Sequence, residues 1–314
     1  MSQTVLLCPG QGAQAVGMGT AWAAASSAAR TIIETADRTV SLPIGMTLSA
    51  ICANGPLEQL SRTDISQPAL YTVGVACAAA MRERAPLSLA AAAGLSLGEY
   101  TALHLAGSFS FEDGLRLVAL RGRFMQDAAE ASQGGMVALI GADEEKALEV
   151  CAKAAEGECL VCANFNAPGQ IVLSGHATAC DRAVTVAGEL GLRAAKLTVA
   201  GAFHSPLMQP AAERLAEALD RTAFSAPLCP VWSNVTAQPH GNDPTTIKRL
   251  LVEQLTAPVR WSQSCTDLIA AMRSGGTVVA YREVAPGTVL KGLMKRIDRT
   301  CEVTSHDQPD SVAA

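Results

Sequence analysis

The 314 residues are 49% hydrophobic, enough apolar material for one large domain with an insertion or for two domains sharing a cleft. Twenty-four Lys and Arg against 29 Asp and Glu leave a net charge of −5, which offers no electrostatic footprint for nucleic acid or an anionic membrane surface. No apolar run is long enough to span a bilayer, and Met1-Ser2-Gln3 leads into Thr4-Val5-Leu6 without a basic leader or cleavage site, so the expectation is a cytoplasmic protein.

Helical patterns alternate with short β-type runs at 4–8, 87–93, 136–140, 160–163, 171–174, 194–199, 231–233 and 277–281. Such alternation predicts an α/β protein with a largely parallel sheet. After the first run comes Cys8-Pro9-Gly10-Gln11-Gly12-Ala13-Gln14-Ala15, in which Gly10, Gly12 and Ala15 match the G-x-G-x-x-A dinucleotide fingerprint. The stretch 31–37, where a second strand should present an acid to a ribose, reads as helix and weighs against a nucleotide. The other reading is a glycine-flanked loop that lets Gln11 project its amide into a cleft, toward a carbonyl oxygen.

Gly94-Leu95-Ser96-Leu97-Gly98 follows the second apolar run and precedes the helix-forming Glu99-Tyr100-Thr101-Ala102-Leu103. Strand, G-x-S-x-G and helix in that order describe a nucleophile elbow, with a helix N-terminus behind the serine hydroxyl. A plain strand-to-helix turn is the alternative, since a chain with 26 glycines produces such spacings by accident. On the predicted helix 111–129, Arg121 has Leu117, Val118, Phe124 and Met125 as surface neighbours, while Arg116 and Arg123 face the other way. A guanidinium in an apolar stripe needs an anion, either a protein carboxylate or one brought by a substrate.

From Ser132-Gln133-Gly134-Gly135 to about Val199 the order is strand, helix over 144–155, strand, strand, helix over 177–190, strand. This is the ferredoxin-like order and predicts a compact insert over 131–199 between segments 1–130 and 200–314. The ten cysteines are scattered through apolar runs, and the lone C-x-x-C, Cys159 to Cys162, reads as core packing with no metal expected.

A serine nucleophile needs a base, and there are five histidines. His240 lies in a Pro-Gly loop and His306 in what reads as a loose tail, both expected to be solvated. His104 is about 12 Å from Ser96 along one helix, at ~1.5 Å per residue. His176 follows a strand of the insert. His204 ends Lys196-Leu197-Thr198-Val199-Ala200-Gly201-Ala202-Phe203, where a strand gives way to a loop; it is a candidate base or a hydrogen-bonded structural histidine.

Seven segments together resemble the malonyl-CoA:acyl carrier protein transacylase family, in its order and over nearly the whole chain. They are Pro9-Gly10-Gln11-Gly12, Gln67-Pro68-Ala69-Leu70, Gly94-Leu95-Ser96-Leu97-Gly98-Glu99-Tyr100, Arg121-Gly122-Arg123-Phe124-Met125-Gln126, Asn164-Phe165-Asn166-Ala167-Pro168-Gly169-Gln170, Gly201-Ala202-Phe203-His204-Ser205-Pro206-Leu207-Met208 and Glu283-Val284-Ala285-Pro286-Gly287. The resemblance implies a hydrolase-like α/β large domain with a ferredoxin-like small subdomain, and a ping-pong reaction through an acyl-enzyme. It implies Ser96 as nucleophile, His204 as base, the backbone N–H groups of Gln11 and Leu97 as oxyanion hole, and the Gln254 carbonyl as the group orienting His204. Arg121 would grip the malonyl carboxylate, with Met125 and Phe203 lining the acyl site. Asn164, Asn166, Gln170 and Arg193 would contact the coenzyme A or pantetheine arm. The implied partners are malonyl-CoA, as substrate rather than cofactor, and an acyl carrier protein; a monomer is expected.

Two residues depart from the family pattern: Leu95 stands where histidine is usual, and Ala285 where glycine is usual. Leu95 leaves open a carrier-protein-binding paralogue with weakened activity, and the shared fold leaves open a serine thioesterase or hydrolase. Ala285 is expected to be strained if its φ is positive. Lys291, Lys295, Arg296 and Arg299 form either a basic docking patch for an acidic carrier protein or a solvated helix face.

Overall fold

The computed structural model describes residues 3–276 and 278–309. Its strands are β1 (Gln3–Cys8), β2 (Leu89–Gly94), β3 (Gly134–Ile140), β4 (Leu160–Ala167), β5 (Gln170–His176), β6 (Arg193–Lys196), β7 (Val231–Trp232), β8 (Val279–Val284) and β9 (Val303–His306). β7, β2, β1, β8 and β9 form one sheet in that order, and every pairing in it is parallel. β4, β5, β3 and β6 form a second, wholly antiparallel sheet, in the order of a ferredoxin-like βαββαβ unit.

The parallel sheet is covered on both faces, which explains why β1 and β2 are continuous apolar runs rather than alternating ones. Leu6, Cys8 and Ala92 face the core built on the helices Thr63–Arg84, Gly98–Leu105 and Phe111–Ser132. Val5, Leu7, Ala91 and Ala93 face the opposite core with Trp232, Trp261, Leu268 and Leu290. The antiparallel sheet has its own apolar core against the helices Glu144–Ala155 and Ala177–Glu189, and Cys162 is buried in it. β4 also bridges to the rest of the chain: Phe165 N–H donates to the Val259 carbonyl at 2.9 Å and Val259 N–H to the Ala163 carbonyl at 2.8 Å. No helix among the described residues is long and apolar enough to cross a membrane.

The loose tail expected from His306 onward starts instead at the last residue of β9, and His306 is buried at the edge of the parallel sheet opposite Val284. The strand expected over 277–281 begins at Val279; Thr277, Met1, Ser2, Asp310 and Ser311 lie outside the described residues. Ala285 has no positive φ; the left-handed position in that turn is Gly287 at 79°, so the strain expected of Ala285 does not arise.

The carboxyl ends of β1 and β2 are packed backbone to backbone. A Cβ on Gly94 would lie 1.9 Å from the Gly98 carbonyl carbon, and one on Gly98 would lie 2.0 Å from the Cys8 carbonyl oxygen. Neither neighbour is a side chain that can swing away. Gly94→Ala is expected to destabilise the protein by about 3 kcal/mol or more, read as a lowered midpoint in urea denaturation.

Candidate active site

Ser96 sits at the turn between β2 and the helix Gly98–Leu105 with φ 52°, a left-handed conformation that costs a non-glycine residue about 1–2 kcal/mol. The turn is tied down on both sides. Ser96 N–H donates to Asn234 Oδ1 at 2.6 Å, and its carbonyl accepts from Gln254 Nε2 at 3.1 Å. Asn234 follows β7, the strand beside β2, so neighbouring parallel strands deliver the serine and its clamp to the same edge of the sheet.

His204 Nε2 lies 2.8 Å from Ser96 Oγ, although 108 residues separate them. Its Nδ1 lies 2.7 Å from the Gln254 carbonyl oxygen. A carbonyl only accepts, so Nδ1 carries the hydrogen and Nε2 presents a lone pair to the serine hydroxyl. Burial, and secondarily the nearby Arg121 charge, push the imidazole pKa down from 6.5 to about 4. The ring is therefore neutral and able to take a proton at ordinary pH.

Arg121 is 1% exposed. Its guanidinium donates to Gln67 Oε1 at 2.7 Å, Gln254 Oε1 at 2.9 Å and Ser96 Oγ at 3.1 Å, and the Tyr100 ring lies 5.3 Å away. Gln67 is aimed by its other end, Nε2 to Met125 Sδ at 3.3 Å. Burial lowers the Arg121 pKa from the usual arginine value. Among the described residues no carboxylate is in ion-pair contact with it, so the first of the two sequence-level alternatives, a direct structural ion pair, is absent.

The remaining sequence-derived residues fall into two groups. Around Ser96, the loop after β1 places Gly10 against the Leu95 carbonyl, and the Gln11 side chain makes a long 3.4 Å bond to Thr63 Oγ1. The N–H groups of Gln11 and Leu97 donate to no protein acceptor among the described residues. Met125 and Phe203 are buried in the large core. Farther out, Asn164 and Asn166 lie on β4, and Asn166 Oδ1 is buried without a partner. Gln170 and Arg193 both sit opposite Ile140 at one end of the antiparallel sheet; Gln170 Oε1 accepts from Arg296 and Arg193 is exposed. Among the described residues, neither Gln170 nor Arg193 bonds to the Ser96 cluster.

Three histidines have structural partners. His104 Nδ1 bonds the Phe109 carbonyl at 3.0 Å, and His176 Nδ1 accepts from Cys159 N–H at 3.0 Å. His240, expected to be solvated, is buried with Nε2 2.6 Å from Glu99 Oε1. Sequence reasoning also assigned no role to Glu99, Asn234 or Gln67. The available signal was a polar residue immediately after a predicted strand, which marks Asn234 alone.

A family profile described as the acyl transferase domain matches residues 5–305. The chain is 40% identical over 315 residues to the malonyl CoA-acyl carrier protein transacylase of Escherichia coli K12, covering all of this chain and 99% of that one. The crystal structure of a malonyl-CoA:acyl carrier protein transacylase from Xanthomonas oryzae pv. oryzae superposes with a TM-score of 0.91 at 42% identity, covering 99% and 96% of the two chains. A malonyl-transacylase solved in complex with a type II PKS acyl-carrier protein superposes equally well, TM-score 0.91 at 35% identity, over 99% and 97%.

A protonated His204 cannot accept the serine proton, so base function is lost as pH falls through its folded-state pKa. The acid limb of the kcat/KM profile for serine acylation is expected near pH 4, with no break at 6.5. The same depression favours the folded state above pH 6.5, a contribution of about 3 kcal/mol that is lost as pH falls from 6.5 toward 4. Stopped-flow acylation across pH 4–8 checks the first statement, and urea midpoints of wild type against His204→Gln check the second.

Proposed function

This chain belongs to the acyl transferase domain family, among full-length malonyl-CoA:acyl carrier protein transacylases, and from that premise we propose how its residues move a malonyl group from malonyl-CoA to the phosphopantetheine thiol of an acyl carrier protein. His204 Nε2 takes the Ser96 proton as Oγ attacks the thioester carbonyl. The N–H groups of Gln11 and Leu97 receive the oxyanion. As the carbon–sulfur bond breaks, His204 returns the proton to the coenzyme A sulfur, leaving malonyl-Ser96. The carrier thiol then gives its proton to His204 and attacks the ester, and Ser96 recovers its hydrogen. Malonyl-CoA enters as substrate, and the scheme uses no resident cofactor.

One observation carries the choice of acyl group. A buried guanidinium stands 3.1 Å from the nucleophile and, among the described residues, is bonded only to neutral oxygens. A malonyl carboxylate is the anion that such a group lacks, and arginine can hold it through two parallel hydrogen bonds. Met125 and Phe203 give the acyl site its apolar walls. Asn164 and Asn166 lie where β4 runs beside Val259, five residues beyond Gln254, which supports a pantetheine contact. Gln170 and Arg193 extend that line toward the coenzyme A end.

We take residues 131–199 as a small subdomain between 1–130 and 200–314, supported by its separate sheet and core. We take the working unit to be a monomer. On the helix Val289–Ile297 and just beyond it, Lys291, Lys295, Arg296 and Arg299 are all exposed; the Lys291 backbone N–H donates to Glu283 Oε2 at 3.0 Å, and none of the four side chains is in a salt bridge among the described residues. Arg296 reaches Gln170 at 2.8 Å, so this basic face adjoins the proposed coenzyme A arm. It suits an acidic carrier protein.

Exposure to malonyl-CoA is expected to add one malonyl group to the intact mass, stable without a thiol acceptor and absent in Ser96→Ala. Rapid release of free malonate would instead indicate a hydrolase. Arg121→Ala is expected to lower kcat/KM for malonyl loading by roughly 100-fold while acetyl loading changes only a few-fold. Lys295→Glu is expected to weaken carrier-protein binding several-fold in a titration calorimeter, with malonyl loading from malonyl-CoA unchanged.

A further inference from the structure

A second buried charge stands directly behind the nucleophile. Glu99, in the first turn of the helix Gly98–Leu105, is fully buried. Its Oε2 accepts from Gln254 Nε2 at 2.8 Å and from Asn234 N–H at 2.9 Å. Its Oε1 faces His240 Nε2 at 2.6 Å, and His240 Nδ1 is buried without a partner. A carboxylate oxygen only accepts, so His240 Nε2 carries the hydrogen of this contact and donates it to Glu99 Oε1.

Gln254 links this carboxylate to the acyl pocket. Its Nε2 is on Glu99 and its Oε1 is on Arg121 at 2.9 Å, so one amide separates the negative charge from the positive one. An anion bound by Arg121 therefore meets a cation already partly offset from behind. Resting on the reading of Arg121 as the malonyl carboxylate holder, we propose that Glu99 is a counter-charge that limits that hold. A transferase must release its acyl group to a second thiol, and an uncompensated buried guanidinium would retain a carboxylate.

The test is Glu99→Gln, read by competitive inhibition with free malonate. The substitution keeps the shape and an oxygen able to accept from Gln254 and Asn234 while removing the charge. Malonate is expected to bind at least fivefold more tightly, at an effective dielectric of about 20, while loading from uncharged-acyl acetyl-CoA changes less than twofold. Damage to the fold would weaken malonate rather than tighten it, so unchanged or weaker inhibition overturns the proposal. Gln67→Glu runs the test in the opposite direction and stands if Glu99→Gln does not accumulate. It sets a carboxylate on the other Arg121 amide partner, and malonate is expected to weaken at least fivefold; no weakening overturns the proposal. Arg121→Ala separates the two readings. If malonate inhibition survives that substitution, the reading of Arg121 itself fails; if it is lost and Glu99→Gln does not tighten binding, only the role of Glu99 fails.

Discussion

Burying one guanidinium constrains everything around it. Arg121 projects from a helix into an apolar stripe, and a full charge there costs several kcal/mol unless its hydrogens are matched. Its two terminal nitrogens are matched by Gln67, Ser96 and Gln254, which come from the helix Thr63–Arg84, the turn after β2 and the residue ending the helix Pro244–Glu253, while Nε is buried without a partner among the described residues. Those three segments must therefore converge for the arginine to be tolerated at all. Each amide is then aimed by its opposite end, Gln67 by Met125 and Gln254 by Glu99 and the Ser96 carbonyl.

The same convergence explains why a carbonyl, rather than a carboxylate, orients the base. The Gln254 carbonyl selects the His204 tautomer and holds the ring without placing a negative charge beside it. Burial and the Arg121 charge then keep the imidazole neutral. The acid sits one layer back, as Glu99, where it bonds the side chain of the residue whose backbone holds His204. Ser96 and His204 both adopt positive φ, at 52° and 55°, so nucleophile and base each carry local strain that the surrounding hydrogen bonds secure.

Several elements were legible because their cause is local. The short apolar runs at 4–8 and 87–93 announced strands, and Gly94-Leu95-Ser96-Leu97-Gly98 between an apolar run and helix-forming residues announced a tight turn. Helical periodicity placed Arg121 among apolar neighbours, which posed the correct question without answering it. His240 failed for the opposite reason. Pro239 and Gly241 mark an exposed loop truthfully, but the one buried side chain in it, His240, is held by Glu99, 141 residues away. His306 failed similarly: 303–306 is a short, partly polar run that becomes a strand because the edge of β8 is there to pair with it.

The amino-acid sequence by itself determined the alternation of strands and helices, the serine turn, the insert and the placing of a cation on an apolar helix face, since each follows from spacing within one segment. Only the tertiary structure decided which oxygens surround that cation, which histidine meets the serine and where the hidden carboxylate lies. Those are hydrogen bonds between segments tens to more than a hundred residues apart, and no local pattern encodes which distant donor and acceptor will share a buried, water-free space.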